Sequence, residues 1–479
     1  MKRISFLLLV TALILTLVMP GAAMADSGSP TWNSIIYYFN PMARDGSMGV
    51  TFTGTGNTPG DQLDIPVKAN GFGLVSVGST GDFKGAAMLS ADVPLVAVYK
   101  QYDVSGGAYA PVLYSSFDAT QSSVNGKFYV PSIVHQGYYV SKVGIQNVEN
   151  ETVKLTLDFY DATGALIVED TTKTIDSQGS LIFQITDDDI PGIGSSFDGS
   201  LVITAAKTSD ESPARVVAAV EDLQSQGQRS YAYEGSGVTA TTFYMPYANC
   251  RYSTNQQSTT FYVQNAGATD ATINIYYYTT SGVGIAYYTP TAKVKSGARM
   301  MVSACDTKVY AKMNGKNGTA RITSDQPIVV VGKVSSTDGL STAFLGEASG
   351  GTDILLPYIP YSKLSSLPRT TLSIMNVGSS PAKKVSINYW YKKGDGSFAA
   401  QTVVIATSSA PLAKFGKYSA TPKVSGAALT ANGNYQGAAN VVSDQPVVVV
   451  VRVSQGVTGV SGITTLGEDY TGVPFATGP

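Results

Sequence analysis

The sequence predicts an all-β protein made of tandem β-sandwich domains in an elongated array. Its apolar segments alternate with a period of two, as in LTLDFY, INIYYY and VSINYW, and Gly, Asn, Asp and Pro separate them. This pattern is typical of strands joined by turns, and no amphipathic helical run of about ten or more residues is present. A long internal repeat divides the strands into successive domains.

The repeat is clearest around four prolines, each preceded by a glycine and a short alternating strand and followed by a β-branched run. These are Pro94, Pro213, Pro327 and Pro446, spaced 119, 114 and 119 residues apart. The units of solenoid proteins are shorter, roughly 20–50 residues. A period of this length therefore predicts whole small domains in tandem.

A second phrase repeats in the front half of three units. Asn147, Asn265 and Asn376 each stand 13 residues before a tyrosine, and a proline with apolar neighbours lies upstream of each. Asparagine tolerates the left-handed conformation that tight turns need. We therefore interpret these residues as turn positions and not as ligands.

The N-terminus predicts export. A charged start is followed by an apolar stretch from Phe6 to Met19 and by AMA, which fits the small-x-small cleavage pattern. We expect a signal peptide at 1–25, a mature chain that begins at Asp26, and an extracellular or cell-surface location. No later segment reaches roughly 18 consecutive apolar residues, so no transmembrane helix is expected.

The composition favours an extracellular β protein. Charged residues make up only 14% of the chain, and its 29 tyrosines outnumber its 16 phenylalanines. The net charge of −2 argues against nucleic acid as a partner and permits close self-association. The expected partners are further copies of the chain or other surface components, and glycans remain open.

Two cysteines, Cys250 and Cys305, fall in the third unit. In an exported chain an even pair within one domain predicts a disulfide. Two free thiols or a redox pair are the alternatives.

We predict that the protein is not an enzyme. His135 is the single histidine, and the sequence holds no GxSxG, HExxH or zinc-spaced Cys/His motif. Asp187, Asp188 and Asp189 form the densest carboxylate cluster, a weak calcium candidate that lacks the EF-hand spacing. A solvated turn is the competing interpretation, and no other cofactor is expected.

Each unit has room for seven or eight strands, and three motifs recur in it: an IxN turn, a V-x-I-x-Y strand with a glycine turn, and a closing SDQPVVVV phrase. With these motifs the chain resembles the tandem immunoglobulin-like modules of bacterial surface and secreted proteins. The resemblance implies immunoglobulin-like sandwiches and a cell-surface or matrix architecture, without a defined activity.

The predicted organisation comprises a signal peptide, an incomplete first unit, three full units and a tail, at 1–25, 26–125, 126–238, 239–350, 351–470 and 471–479. If Tyr38 corresponds to Tyr389, the asparagine phrase of the first unit falls inside the signal peptide. The first unit then lacks its opening one or two strands. The tail resembles the start of a further unit, because Pro474 follows Pro446 by 28 residues.

These two ends suggest assembly by strand addition. The tail around Val473, Pro474 and Phe475 would pair with the next molecule beside the strand that contains Ile36 and Tyr38. Such head-to-tail contacts build filaments unless they close into rings. The alternative is a shorter first domain that closes by itself.

The sequence thus predicts an exported structural component of the cell surface, such as a subunit of a filament, sheath or surface layer. The alternative is an adhesin or carbohydrate-binding protein, because sugars stack on aromatic side chains such as those of Tyr276-Tyr277-Tyr278 and Tyr389-Trp390-Tyr391. Alternate residues of a strand point to opposite faces, however, so part of each triplet belongs to the core.

Overall fold

The structure is a computed structural model that describes residues 32–54, 59–76, 85–103, 112–115, 122–123, 125–224, 229–429, 433–458 and 463–475. Strands dominate, which confirms the all-β class; the described helical turns are α1 (Tyr310–Met313) and a 3-10 turn (Gly426–Ala428). The predicted signal peptide and the last four residues of the tail lie outside the described residues.

The first unit has two sheets, with strand orders β4-β1-β6-β7 and β3-β2-β5. Its strands are β1 (Trp32–Phe39), β2 (Gly46–Gly54), β3 (Pro59–Val67), β4 (Phe72–Ser76), β5 (Gly85–Ala91), β6 (Val96–Asp103) and β7 (Val112–Ser115).

The second unit forms the order β11-β10-β13-β8-β9-β14-β15, with β12 on β9. Its strands are β8 (Lys127–Gln136), β9 (Tyr139–Asn147), β10 (Val153–Asp161), β11 (Leu166–Ile175), β12 (Ser180–Gln184), β13 (Phe197–Lys207), β14 (Val216–Gln224) and β15 (Ser230–Glu234).

The third unit has the order β19-β18-β21-β17-β20, with β16 and β22 also paired to the long β21. Its strands are β16 (Ala240–Cys250), β17 (Ser258–Asn265), β18 (Ile273–Thr279), β19 (Gly284–Tyr288), β20 (Arg299–Ser303), β21 (Lys316–Ser335) and β22 (Ser341–Leu345).

The fourth unit has the order β26-β25-β28-β23-β30, with β24 and β29 on β28 and β27 on β24. Its strands are β23 (Gly351–Tyr361), β24 (Arg369–Asn376), β25 (Val385–Lys392), β26 (Phe398–Ala406), β27 (Lys417–Ala420), β28 (Tyr435–Gly456), β29 (Thr465–Thr471) and β30 (Val473–Pro474). The predicted boundary positions between units stay predictions.

The repeated asparagines fasten a loop in every unit. The Asn265 carboxamide donates to the carbonyl oxygens of Thr269 and Val294, both at 2.8 Å, and its Oδ1 accepts from Gly267 N at 2.8 Å. Asn147 and Asn376 make the same three kinds of bond. None of these asparagines has a positive φ. They are turn positions, but because they clamp the loop and not because they adopt a left-handed backbone.

The first unit contains this clamp as well. The Asn40 carboxamide donates to Arg44 O at 3.0 Å and Lys68 O at 2.9 Å, and its Oδ1 accepts from Met42 N at 2.9 Å. Aligning Tyr38 with Tyr389 was therefore wrong, because Asn40 takes the place of Asn376. The asparagine strand of the first unit is β1, and it lies outside the predicted signal peptide.

The units pack on one another through shared apolar clusters. Val329 and Val331 of the third unit belong to the cluster that fills the second. Ile35, Tyr37 and Val98 of the first unit join the core of the fourth. Burial of apolar surface therefore continues across the boundaries between units.

The last strands of the four units meet at the centre of the molecule. β7 lies against β15 and β29, and β22 lies against the same two strands. The first unit thus contacts both the second and the fourth, and the four units form a closed ring. The prediction of an elongated array is wrong, because the terminal strands pack together instead of remaining apart.

Candidate functional site

The predicted disulfide is present. Cys250 and Cys305 are bonded, with their Cα atoms 5.0 Å apart and a sequence separation of 55 residues. The bond joins the end of β16 to the segment before α1 within the third unit. It braces this unit and contacts none of the other three.

The three aspartates of the calcium candidate lie in a turn after β12. Asp189 Oδ2 accepts from Gln184 N at 2.6 Å, and Asp187 Oδ1 accepts from Gly192 N at 2.9 Å. These bonds are those of a solvated turn, with Asp188 beside them. Over the described ranges, no group of three or more His, Cys, Asp and Glu side chains could hold a metal ion. Calcium binding stays an untested prediction.

The predicted acceptor strand has no free edge. β1 pairs with β4 on one side and with β6 on the other, and both Ile36 and Tyr38 are buried in the core of the first unit. A tail from another molecule cannot pair beside these residues without displacing a strand. The proposed position of strand addition was therefore wrong.

The tail pairs within its own chain. Val473 and Pro474 lie opposite Leu355 and Ile354 of β23, and Phe475 N donates to Asp353 O at 2.8 Å. Phe475 packs on a small cluster that includes Phe39 and Val96 of the first unit. Head and tail do meet as the sequence suggested, but inside one molecule, where the contact closes the ring.

Basic residues at one repeated position mark three of the four junctions in the ring. Lys100, Lys333 and Arg452 each stand six residues after the repeated proline. Each reaches from its own unit into the unit before it in the ring. In the second unit the matching position, opposite Ala232 on β15, holds Glu221, which pairs with Lys142 of the same unit.

Lys333 joins the third unit to the second. Its ammonium lies 2.5 Å from Asp222 Oδ2 and donates to Ser132 Oγ at 2.7 Å. Asp222 Oδ1 also accepts from Ser141 Oγ at 2.5 Å. The two charged side chains are 9% and 1% exposed. Tyr262 presents its ring 4.6 Å from the ammonium, so this cation is held by a carboxylate, a hydroxyl and an aromatic face.

Arg452 joins the fourth unit to the third. Its guanidinium binds both oxygens of Asp469, at 2.9 and 2.7 Å, and donates to Thr342 Oγ1 at 3.0 Å and Gln257 Oε1 at 3.1 Å. The ring of Tyr247 lies 4.2 Å from the guanidinium carbon. This fork geometry is one that only arginine can supply.

Lys100 closes the ring between the first and fourth units. It lies 2.5 Å from Glu468 Oε1 and 3.3 Å from the Tyr358 hydroxyl. Burial raises the pKa of Glu468, although Lys100 opposes the shift. Beside this pair the rings of Tyr37 and Tyr358 stack at 4.1 Å.

A second contact repeats at two junctions, between the long inner strand of one unit and the loop after the asparagine clamp of the next. Ser200 Oγ donates to Gly297 O at 3.0 Å, and Thr319 Oγ1 donates to Phe415 O at 2.7 Å. The following residues donate back: Arg299 Nε to Gly199 O at 3.3 Å, and Lys417 Nζ to Gly318 O at 3.0 Å. The two junctions are therefore built by the same rule.

Lys417 is the most deeply buried of these cations. It also donates to Asn317 Oδ1 and lies 4.7 Å from the centre of the Tyr247 ring. Burial lowers its pKa well below the usual value, and the nearby Arg452 lowers it further.

Sequence reasoning missed these junction residues, although a signal was present. A single basic residue interrupts an otherwise apolar run in VVVGKV and in VVVVVRV, and a similar residue ends VAVYK. A charge inside a buried strand requires a partner. The pattern could have predicted paired charges, but not that the partners would come from neighbouring units.

An exposed aromatic ledge lies on the outer sheet of the third unit. The rings of Tyr276 and Tyr287 are 4.8 Å apart, and Tyr287 is 56% exposed. The Tyr287 hydroxyl donates to Asn274 Oδ1 at 2.8 Å, and Arg321 lies over the Tyr276 ring. Tyr277 is fully buried, as the strand alternation predicted.

Among the described residues, no helix is both long and apolar enough to cross a membrane. No protein-family model matches the chain, and no curated protein matches it in sequence. Among solved structures, the chain is similar to the crystal structure of a tetra-tandem repeat in the extending region of a large adhesion protein. The identity is 12%, the match covers 91% of this chain and 94% of that chain, and the TM-score is 0.12. At that TM-score the similarity carries no argument about function.

Proposed function

We propose that the protein is an exported, non-catalytic structural component of the cell surface or of an extracellular assembly. The observation that carries the proposal is the set of buried cations that joins neighbouring units. Buried charge pairs add little net stability but are strongly destabilising to break, so they favour one arrangement of the units over others. Such a module suits a building block better than a chain whose domains move independently.

The predicted signal peptide and the disulfide support a location outside the cytoplasm. The near-neutral charge permits close packing of copies. The closed ring uses the tail internally, so assembly of copies proceeds through outer sheet edges and not through the predicted pairing with β1.

Immunogold labelling of intact cells, combined with electron microscopy of the purified mature protein, tests this proposal. The expected result is label at the cell surface or on extracellular material and ordered arrays of compact particles. Label confined to the cell interior would contradict the location. Particles that stay dispersed at all concentrations would contradict the structural role.

The aromatic ledge supports a second candidate, an adhesin or carbohydrate-binding protein. Tyr276 and Tyr287 present flat faces beside the polar groups of Asn274 and Arg321, a combination suited to stacking and hydrogen bonding with a sugar ring. A glycan array with the monomeric protein distinguishes the candidates. Saturable binding that is lost in Tyr287→Ala, and retained in the control Tyr138→Ala on an exposed turn of the second unit, would favour the adhesin.

A further inference from the structure

The inner strand β5 of the first unit has an edge that its counterparts lack. In the other units the equivalent strand lies between two partners: β13 between β10 and β8, β21 between β18 and β16, and β28 between β25 and β23. Within the part of the chain that the structure describes, β5 pairs with β2 alone. The missing neighbour is the opening strand, which is β8, β16 or β23 in the complete units.

The repeat fixes the register of the missing pair. Met88 stands three residues after Gly85, as Val202, Arg321 and Asn440 stand after their repeated glycines. These three residues lie opposite Tyr129, Tyr244 and Leu355 of the opening strands. Met88 therefore marks the point where the middle of an opening strand would pair.

The three opening strands share one chemistry, an apolar–x–apolar–Pro sequence. The motifs are FYVP, FYMP and ILLP, beginning at Phe128, Phe243 and Ile354. Both apolar side chains of each motif are buried in the core of their unit. The register slips next to each proline, where a bulge accommodates the missing N–H group.

The edge of β5 is poorly covered. Its first five residues are half-buried and its last two are exposed, whereas the matching part of β13, from Gly199 to Ala205, is almost wholly buried. The sequence GAAMLSA places no charge and no proline on this edge. Natural sheets usually protect an exposed edge with such residues. β12 of the second unit lies close to β5 without pairing with it.

We propose that the edge of β5 accepts an opening strand in trans, an extended apolar–x–apolar–Pro segment of another exported polypeptide. The three opening strands of this chain are fixed in their own units. The motif occurs again as LVMP at Leu17–Pro20, with Pro20 20 residues before Asn40, as Pro246 is 19 before Asn265. That segment belongs to the predicted signal peptide. The inference therefore rests on the export and cleavage that the proposed function includes.

Strand addition supplies backbone hydrogen bonds and fills two inward pockets, which gives both affinity and sequence preference. A peptide with the sequence of residues 240–248, ATTFYMPYA, is a suitable probe. We expect a labelled probe to bind the purified mature chain saturably, and the same peptide with Phe243→Asp and Met245→Asp to bind at least tenfold more weakly. Equal binding of both peptides, or no binding, would overturn the proposal.

Disulfide trapping fixes the position of the probe. A Met88→Cys mature chain should cross-link to the peptide that carries Tyr244→Cys, and much less to one that carries Phe243→Cys, because a slip of one residue turns the side chain to the other face. The matched control is Val202→Cys, whose edge is already filled by β8. Equal cross-linking of the two chains would contradict a specific acceptor edge.

Two further results would also overturn the proposal. One is a spontaneous dimer of Met88→Cys chains without peptide, which means that two β5 edges pair. The other is an intramolecular cross-link in an exported Val18→Cys/Met88→Cys chain, which means that the leader is retained and covers the edge. Mass measurement of the exported protein reads the N-terminus directly. A failed peptide test with a correctly cut, surface-located protein rejects this inference but leaves the proposed function standing.

Discussion

The first and fourth units show how the same frame can be complete or open. Both have an asparagine clamp, through Asn40 and Asn376, and both have an inner strand, β5 or the first half of β28. The fourth unit covers this strand with β23, while β5 remains half-buried. The clamp and the ring contacts are therefore sufficient to hold the frame, and the opening strand is a separable part.

The most damaging change should strike the junction between these two units. Lys100→Ala leaves Glu468 buried without its cation, and we expect it to lower the free energy of unfolding by about 3–5 kcal/mol. Denaturant titration measures this. The control is Lys68→Ala, whose partner Asp45 lies on the surface, and which should have no measurable effect. Similar losses for both variants would mean that the Lys100 pair does not hold the ring.

The opening strand should matter only where it exists. Leu356→Ala removes a fully buried side chain of β23 and should cost about 2–5 kcal/mol. Leu89→Ala, on the half-buried β5, should cost clearly less because the core around it is incomplete. Equilibrium unfolding of both variants compares them. A larger loss for Leu89→Ala would show that the first unit is as tightly packed as the fourth.

The clamp, in contrast, should be equally important in both units. Asn40→Ala and Asn376→Ala each remove three hydrogen bonds and should each cost about 2–3 kcal/mol. Local hydrogen exchange in the two clamped loops reports the effect unit by unit. If only Asn376→Ala loosens its loop, the first unit does not share the frame.

The smallest effect concerns pH at the complete junction between the third and fourth units. Burial lowers the pKa of Lys417 below 10.5, so between the two values the unfolded chain binds more protons than the folded chain. The free energy of unfolding should then rise with pH, by at most about 1.4 kcal/mol per pH unit. Urea titrations between about pH 7 and pH 9.5 stay below the ordinary range of tyrosine ionisation. Lys417→Met should flatten the slope, and an unchanged slope would locate the titration elsewhere.

Local features of the molecule were predictable from the sequence. Alternation gave the strands, the spacing of Pro327 and Pro446 gave the repeat, and Cys250 with Cys305 gave the disulfide. The asparagines were predicted as turn positions, although the carboxamide clamp was not. Each of these features depends on residues close in sequence or on one pair in one domain.

The ring was not predictable in the same way. Its junctions join Lys100 to Glu468 and Lys333 to Asp222, and nothing in the local pattern fixes which units become neighbours. The placement of Asn40 was also missed, because the tyrosines of IIYYF resemble those of INIYYY and suggested a register shifted by several residues. The repeated geometry of the clamp, and not residue similarity, settles that register.

Small-angle X-ray scattering of the monomeric mature protein tests the closed ring most directly. A compact chain of this length has a radius of gyration of about 23 Å, whereas four such units in a row would give about 40 Å. We predict a value close to the compact one, and an increase in the Lys100→Ala variant as the first unit separates from the fourth. A value near 40 Å for the unmodified protein would contradict the ring and restore the elongated array.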